Sequence, residues 1–159
     1  MPVRRPLLVL LGAVVLLAAL VVAVPYAQAQ RDARDLRDLT AVAERLDLPG
    51  EARACDQPGE HDALRCISLD GPARPVAEAL AAQVESLGLT SAEIDCYLPP
   101  VPRTNRDGSL VQVPEHCLVL SRHRHGSSGL MVGVMPRLLP EPPITFEGLD
   151  VYVTVWSAD

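Results

Sequence analysis

Residues 7–24 read LLVLLGAVVLLAALVVAV, an uncharged run of 18 apolar residues behind Arg4 and Arg5. As a helix rising 1.5 Å per residue, such a run extends roughly 27 Å, close to the hydrocarbon thickness of a bilayer at about 30 Å. The pattern predicts a membrane anchor, with both arginines kept in the cytoplasm and everything after residue 30 exported. Ala27-Gln28-Ala29 offers a competing reading, a signal peptide cleaved near Ala29 to give a secreted product. The apolar region of a cleaved signal is usually about 7–15 residues, so the length favours the anchor. Beyond it the pattern changes. From Arg31 to Leu48, Leu36, Leu39, Ala43 and Leu46 recur at helical spacing, arginines and aspartates alternate around them, and Pro49-Gly50 ends the segment. This stalk helix, residues 31–50, is expected to lay its stripe on the domain that follows. Read as a coiled-coil seam, the same stripe would form a homodimer, although two heptads fall short of the three or four that such seams usually need.

Residues 51–159 form the candidate domain. Strands are expected at Leu64–Leu69, Glu93–Leu98, Cys117–Arg122, Leu130–Met135 and Leu149–Trp156, separated by Asp70-Gly71-Pro72, by Asp107-Gly108 and by two proline-rich stretches. Pro75–Leu87 carries Val76, Ala79, Leu80, Val84 and Leu87 at helical spacing, with Gly88 placed for a left-handed cap and Leu89 as its apolar contact. In the last segment Leu149, Val151, Val153 and Val155 alternate with Asp150, Tyr152, Thr154 and Trp156, so one face is buried and the other wet. The order β-α-β-β-β-β defines an α+β domain, one helix packed on a mostly antiparallel sheet.

Composition adjusts this picture in three ways. All 20 acidic residues and 12 of the 14 arginines lie after position 30, which leaves that part at a net −8 and argues against nucleic acid and anionic lipid as partners. Lysine is absent, which removes Schiff-base chemistry and the P-loop lysine. With one phenylalanine and one tryptophan in the chain, the core has to be Val, Leu and Ala, and crosslinks are expected to support it. The cysteines supply them. Cys96 and Cys117 are centred on position 106.5, beside Asp107-Gly108, so an antiparallel hairpin turning there brings them face to face, leaving Cys55 to Cys66. Their spacings differ from the C-x₂₋₄-C of zinc sites, and an exported domain favours oxidation.

The candidate chemistry is sparse. His123 and His125 share one face of an extended segment, and His116 precedes the same strand, so the three are candidate ligands for a transition metal or zinc at a His-rich hairpin tip. Strand parity sets His116 opposite the other two, so it could join them only across a bend. Arg124-His125-Gly126 resembles the Arg-His-Gly signature of the histidine phosphatase superfamily, whose histidine is the phosphorylated nucleophile. That resemblance implies a second histidine and further arginines. Only 33 residues follow Gly126, with Arg137 and no histidine among them, and the tripeptide is read as a hairpin tip. Ser121 lacks a G-x-S-x-G context, and Ser127 and Ser128 sit in a glycine-bounded turn. Tyr152, Thr154 and Trp156 form an outward aromatic stripe, a candidate partner surface that the second proline-rich loop or the stalk helix could instead cover.

Taken together, three regions are expected: residues 1–30 as anchor or signal, 31–50 as stalk, and 51–159 as an exported, disulfide-stapled domain. The expected role is a single-pass envelope protein, bacterial by its lysine-free and Ala/Val/Arg/Pro-rich composition, with a small binding or structural domain facing a protein partner. No enzymatic activity, cofactor or nucleic-acid partner is expected. A small exported enzyme or metal-binding protein using the histidine tip is the alternative.

Overall fold

The computed structural model describes residues 4–55, 62–99, 102–124, 128–139 and 143–157, with side chains from residue 17 onward apart from residue 18. Two units divide the chain, Met1–Arg34 and Asp35–Asp159. A single helix, α1, runs Arg4–Arg45 without a break at residue 30, and Pro25 lies inside it.

In the first unit the described side chains are exposed, and Gln30 donates to the Tyr26 hydroxyl one turn back at 2.9 Å. Among the described residues no helix is long and apolar enough to cross a membrane. The span expected over residues 7–24 therefore finds no support in the structure, and the side chains of residues 7–16 and 18 lie outside the described ones.

The second unit holds the core. Of the stripe expected on the stalk, Leu39, Ala43 and Leu46 are buried together with Val42, while Leu36 is exposed. These positions pack into the domain's own hydrophobic cluster. A homodimeric seam would draw on these same side chains. The helix also ends at Arg45, before Pro49-Gly50. Its last carbonyls are capped from elsewhere in the chain: the Arg65 guanidinium donates to the carbonyls of Ala43, Glu44 and Leu46 at 2.9, 3.3 and 2.8 Å. A cation on the last carbonyls satisfies orphan acceptors and opposes the negative end of the helix dipole.

Among the described residues eight strands follow: β1 Glu51–Arg53, β2 Ala63–Leu69, β3 Glu93–Tyr97, β4 Arg103–Thr104, β5 Leu110–Val111, β6 His116–Arg122, β7 Gly129–Leu138 and β8 Phe146–Trp156. The second helix, α2, spans Ala73–Ser86. Six strands form one sheet in the order β1-β2-β8-β7-β6-β3, every pair antiparallel. The fold is thus α+β, with α2 laid on the sheet as its apolar spacing implied. Its C-terminus is closed by Gly88 at φ +99°, with Gly88 N–H on the Glu85 carbonyl and Leu89 N–H on that of Val84. That pair of bonds is a Schellman cap.

Two pieces lie outside the expected order. β1 is an added edge strand, and β4–β5 form a separate ribbon at the tip of the β3–β6 hairpin. The proline-rich stretch expected after Met135 also starts later, because Pro136 belongs to β7 and pairs with Leu149. A register shift beside it, between Pro136 and Leu138, gives a residue without an N–H a place in the ladder.

Candidate functional site

Strand register assigns each side chain to a face. Ile67, Val151, Val134, Cys117 and Cys96 lie in one row across the sheet, on the face covered by α2 and the end of α1. The next row, Arg53, Cys66, Tyr152, Gly133, Leu118 and Asp95, lies on the opposite, outer face. The two disulfides therefore sit on different faces. Cys96–Cys117 closes the helix side, and Cys55–Cys66 closes the outer side. Both pairings are those the spacing favoured.

The candidate partner residues Tyr152, Thr154 and Trp156 lie together on the outer face, each half-buried. Two of them rest on glycine. Trp156 stands opposite Gly129 and Tyr152 opposite Gly133. A Cβ on Gly133 would meet the Tyr152 ring, and one on Gly129 would meet the Trp156 ring at 2.6 Å. The rings lie flat because the strand beneath them has no side chain there. The Arg122 guanidinium lies 5.8 Å from the Trp156 ring centre, at cation–π range. At the other end of β6, Tyr97 and His116 meet edge to face at 5.3 Å. An aromatic and cationic stripe on an open sheet can bind a partner; the described residues give it no nucleophile.

A buried polar group anchors the same face. Asp150, 2% exposed, accepts from Ser68 Oγ at 2.8 Å and Arg53 Nε at 3.2 Å. Burial of this carboxylate is tolerable because a cation and a hydroxyl satisfy it. The alternation had placed Asp150 on the wet face of this strand, and the trio left no mark in the sequence.

His116 and His123 are not brought together. His116 opens β6 and His123 lies just past its end, seven residues or about 23 Å apart at strand spacing. One ion cannot touch both. His125 lies outside the described residues, as do Gly126 and Ser127. His123 Nδ1 is 3.8 Å from Asp35 Oδ1 and has no hydrogen-bond partner among the described residues. Cys96, Glu115 and Cys117 cluster with metal-like spacing, yet both sulfurs are committed to the disulfide. Glu115 instead pairs with Arg74 at 2.6 Å, which raises the guanidinium further above its ordinary value. On the β4–β5 ribbon, the Ser109 hydroxyl and N–H both donate to Asp107, holding its carboxyl below the usual aspartate range. The structure thus separates His116 from His123 and gathers Tyr152, Thr154 and Trp156 on one face.

The chain matches no family model, no curated protein and no solved structure.

Proposed function

We propose that the chain is an extracytoplasmic binding protein of the bacterial envelope, tethered through residues 7–24, whose small domain engages a protein partner. The carrying observation is the pair of disulfides, one on each face of the sheet, because such bonds form and persist in oxidising compartments. The apolar run behind Arg4 and Arg5 supports the tether and its orientation. The half-exposed stripe of Tyr152, Thr154 and Trp156 supports binding over a purely structural role, since aromatic and arginine side chains are what interfaces enrich.

Membrane fractionation of the full chain tests the tether. Retention in the pellet after alkaline extraction, with the cysteines blocked to alkylation until reductant is added, is the expected result. Release into the soluble fraction with Gln30 as the mature N-terminus would replace the anchor with a cleaved signal. Four thiols that react without reductant would overturn the compartment itself.

A further inference from the structure

The hydrogen-bonding phase of β3 decides which of its main-chain groups are free. Cys96 and Cys117 stand opposite each other with Cα atoms 4.1 Å apart, the short spacing of a non-hydrogen-bonded antiparallel pair. Such pairs alternate with hydrogen-bonded ones. Glu93, Asp95 and Tyr97 therefore exchange their bonds with β6, and the N–H and C=O groups of Ile94 and Cys96 point away from the sheet. β3 is the last strand in the order, so among the described residues no strand meets them. The N–H of Ala92 has the same phase and is taken by Glu85 Oε1 of α2 at 2.9 Å. Among the described residues the helix satisfies the edge there and nowhere further along it.

Side chains make this edge unlike its counterpart. β1, the opposite edge, has three residues and is charged at both ends, whereas β3 has five. Exposed apolar side chains gather at β3: Ile94 at 36%, Tyr97 at 52% and Leu98 at 57%. An open edge flanked by apolar surface is a template for another strand. Glu93 and Asp95, both exposed, lie on the outer face, with Ile94 between them on the helix side. Their charge selects the occupant. A second copy docked antiparallel, outer face to outer face, would set these carboxylates against their own equivalents, an unfavourable cross-strand pair. A strand with cations at the same positions is attracted instead.

We propose that the free edge of β3 receives an extended basic segment of another protein as a seventh strand. Its main chain bonds to Ile94 and Cys96, its cationic side chains lie opposite Glu93 and Asp95, and its apolar side chains cover Ile94. Pro99, two residues past the strand, limits the added pairing to the length of β3. This deepens the reading of the domain as a binding module and does not depend on the tether, which alkaline extraction tests separately.

The test uses the full chain and a synthetic peptide alternating arginine and valine, with the glutamate–valine peptide as its counterpart. Binding is read by fluorescence anisotropy, and its place by amide hydrogen exchange. The basic peptide is expected to bind and to slow exchange at Ile94 and Cys96 by about tenfold or more. Glu93→Gln with Asp95→Asn should weaken binding about tenfold, as two lost charge pairs imply. Ile94→Pro removes an N–H that β6 does not use and should weaken it at least as much. Glu78→Gln with Glu147→Gln, exposed acids away from the edge, should leave it unchanged. Equal binding of the acidic peptide would overturn the proposal. So would an equal loss in the Glu78/Glu147 variant, protection elsewhere, or a peptide-free dimer already protected at Ile94 and Cys96.

Discussion

Replacing Arg65 with methionine isolates the device that caps α1. The guanidinium reaches from β2 to three carbonyls of the helix's last turn and the residue after it, at 2.9, 3.3 and 2.8 Å. Methionine keeps most of the stem's apolar contact and removes only the donors and the charge. A hydrogen bond from a charged group contributes about 1.5–3 kcal/mol, and a cation at a helix C-terminus about 0.3–1 kcal/mol. The three bonds share one nitrogen, so they count as one good charge-assisted interaction and not three. The expected loss is about 2–3 kcal/mol, or a Tm lower by about 6–12 °C for a unit of this size. Lysine, a point charge without the planar fork, should recover about half of it.

Urea unfolding of the full chain, followed by the fluorescence of its single tryptophan, Trp156, gives the free energy. Amide exchange locates the loss: Arg65→Met should speed exchange at Val42–Arg45 more than in β6 or β7. A variant within about 0.5 kcal/mol of the parent, a difference typical of ordinary surface substitutions, would refute the capping role. A uniform speeding of exchange in every strand would show that Arg65 matters through the sheet and not through the helix end.

Removing either disulfide by paired Cys→Ala substitution should cost about 3 kcal/mol, with the 21-residue separation of Cys96–Cys117 worth slightly more than the 11 of Cys55–Cys66 in a loop-entropy account; equal denaturation midpoints with and without reductant would contradict this. Gly133→Ala sets a Cβ against the Tyr152 ring and should destabilise by about 1–3 kcal/mol, and adding Tyr152→Ala should give part of that back in a double-mutant cycle. Because its carboxyl is held below 3.8 chiefly by the Ser109 hydroxyl, Asp107 steadies the β4–β5 ribbon above that pH and releases it as pH falls through the lowered value; NMR titration of the Gly108 and Ser109 amides with a midpoint at or above 3.8 would refute it.

What was legible in the sequence was local or symmetric. Gly88 announced its cap because a left-handed residue at a helix end has few alternatives to glycine. The centre beside Asp107-Gly108 anticipated Cys96 opposite Cys117, although that turn closes the separate β4–β5 ribbon, whose register is one residue out of step with β3 and β6. Interactions between distant residues left no local trace. Arg65 caps a helix that finishes 20 residues earlier, and no periodicity marks that partnership. Pro136 looked like a loop because the bulge that accommodates it is set by β8. For His116 and His123, proximity in sequence overstated proximity in space, because a strand stretches its ends apart. The free edge of β3 becomes visible only once the hydrogen-bonding phase is known.

The disposition of aromatic and sulfur side chains ties the fold to its compartment. No Phe, Tyr or Trp is among the buried core residues; the core is Leu, Val, Ala and Ile, with Tyr152 and Trp156 spread over glycines on the outer face. Such a core buries less area per residue than an aromatic one, and the whole domain is expected to retain only about 5–15 kcal/mol of stability. Two disulfides at about 3 kcal/mol each are a large part of that total. They are also placed where they are hard to replace. Cys117 is fully buried among the valines under α2, and Cys55–Cys66 holds β1, with its Arg53, against the sheet beside Asp150. Reduction would loosen both faces together, so the sheet that presents the stripe and the β3 edge is secure only where thiols oxidise.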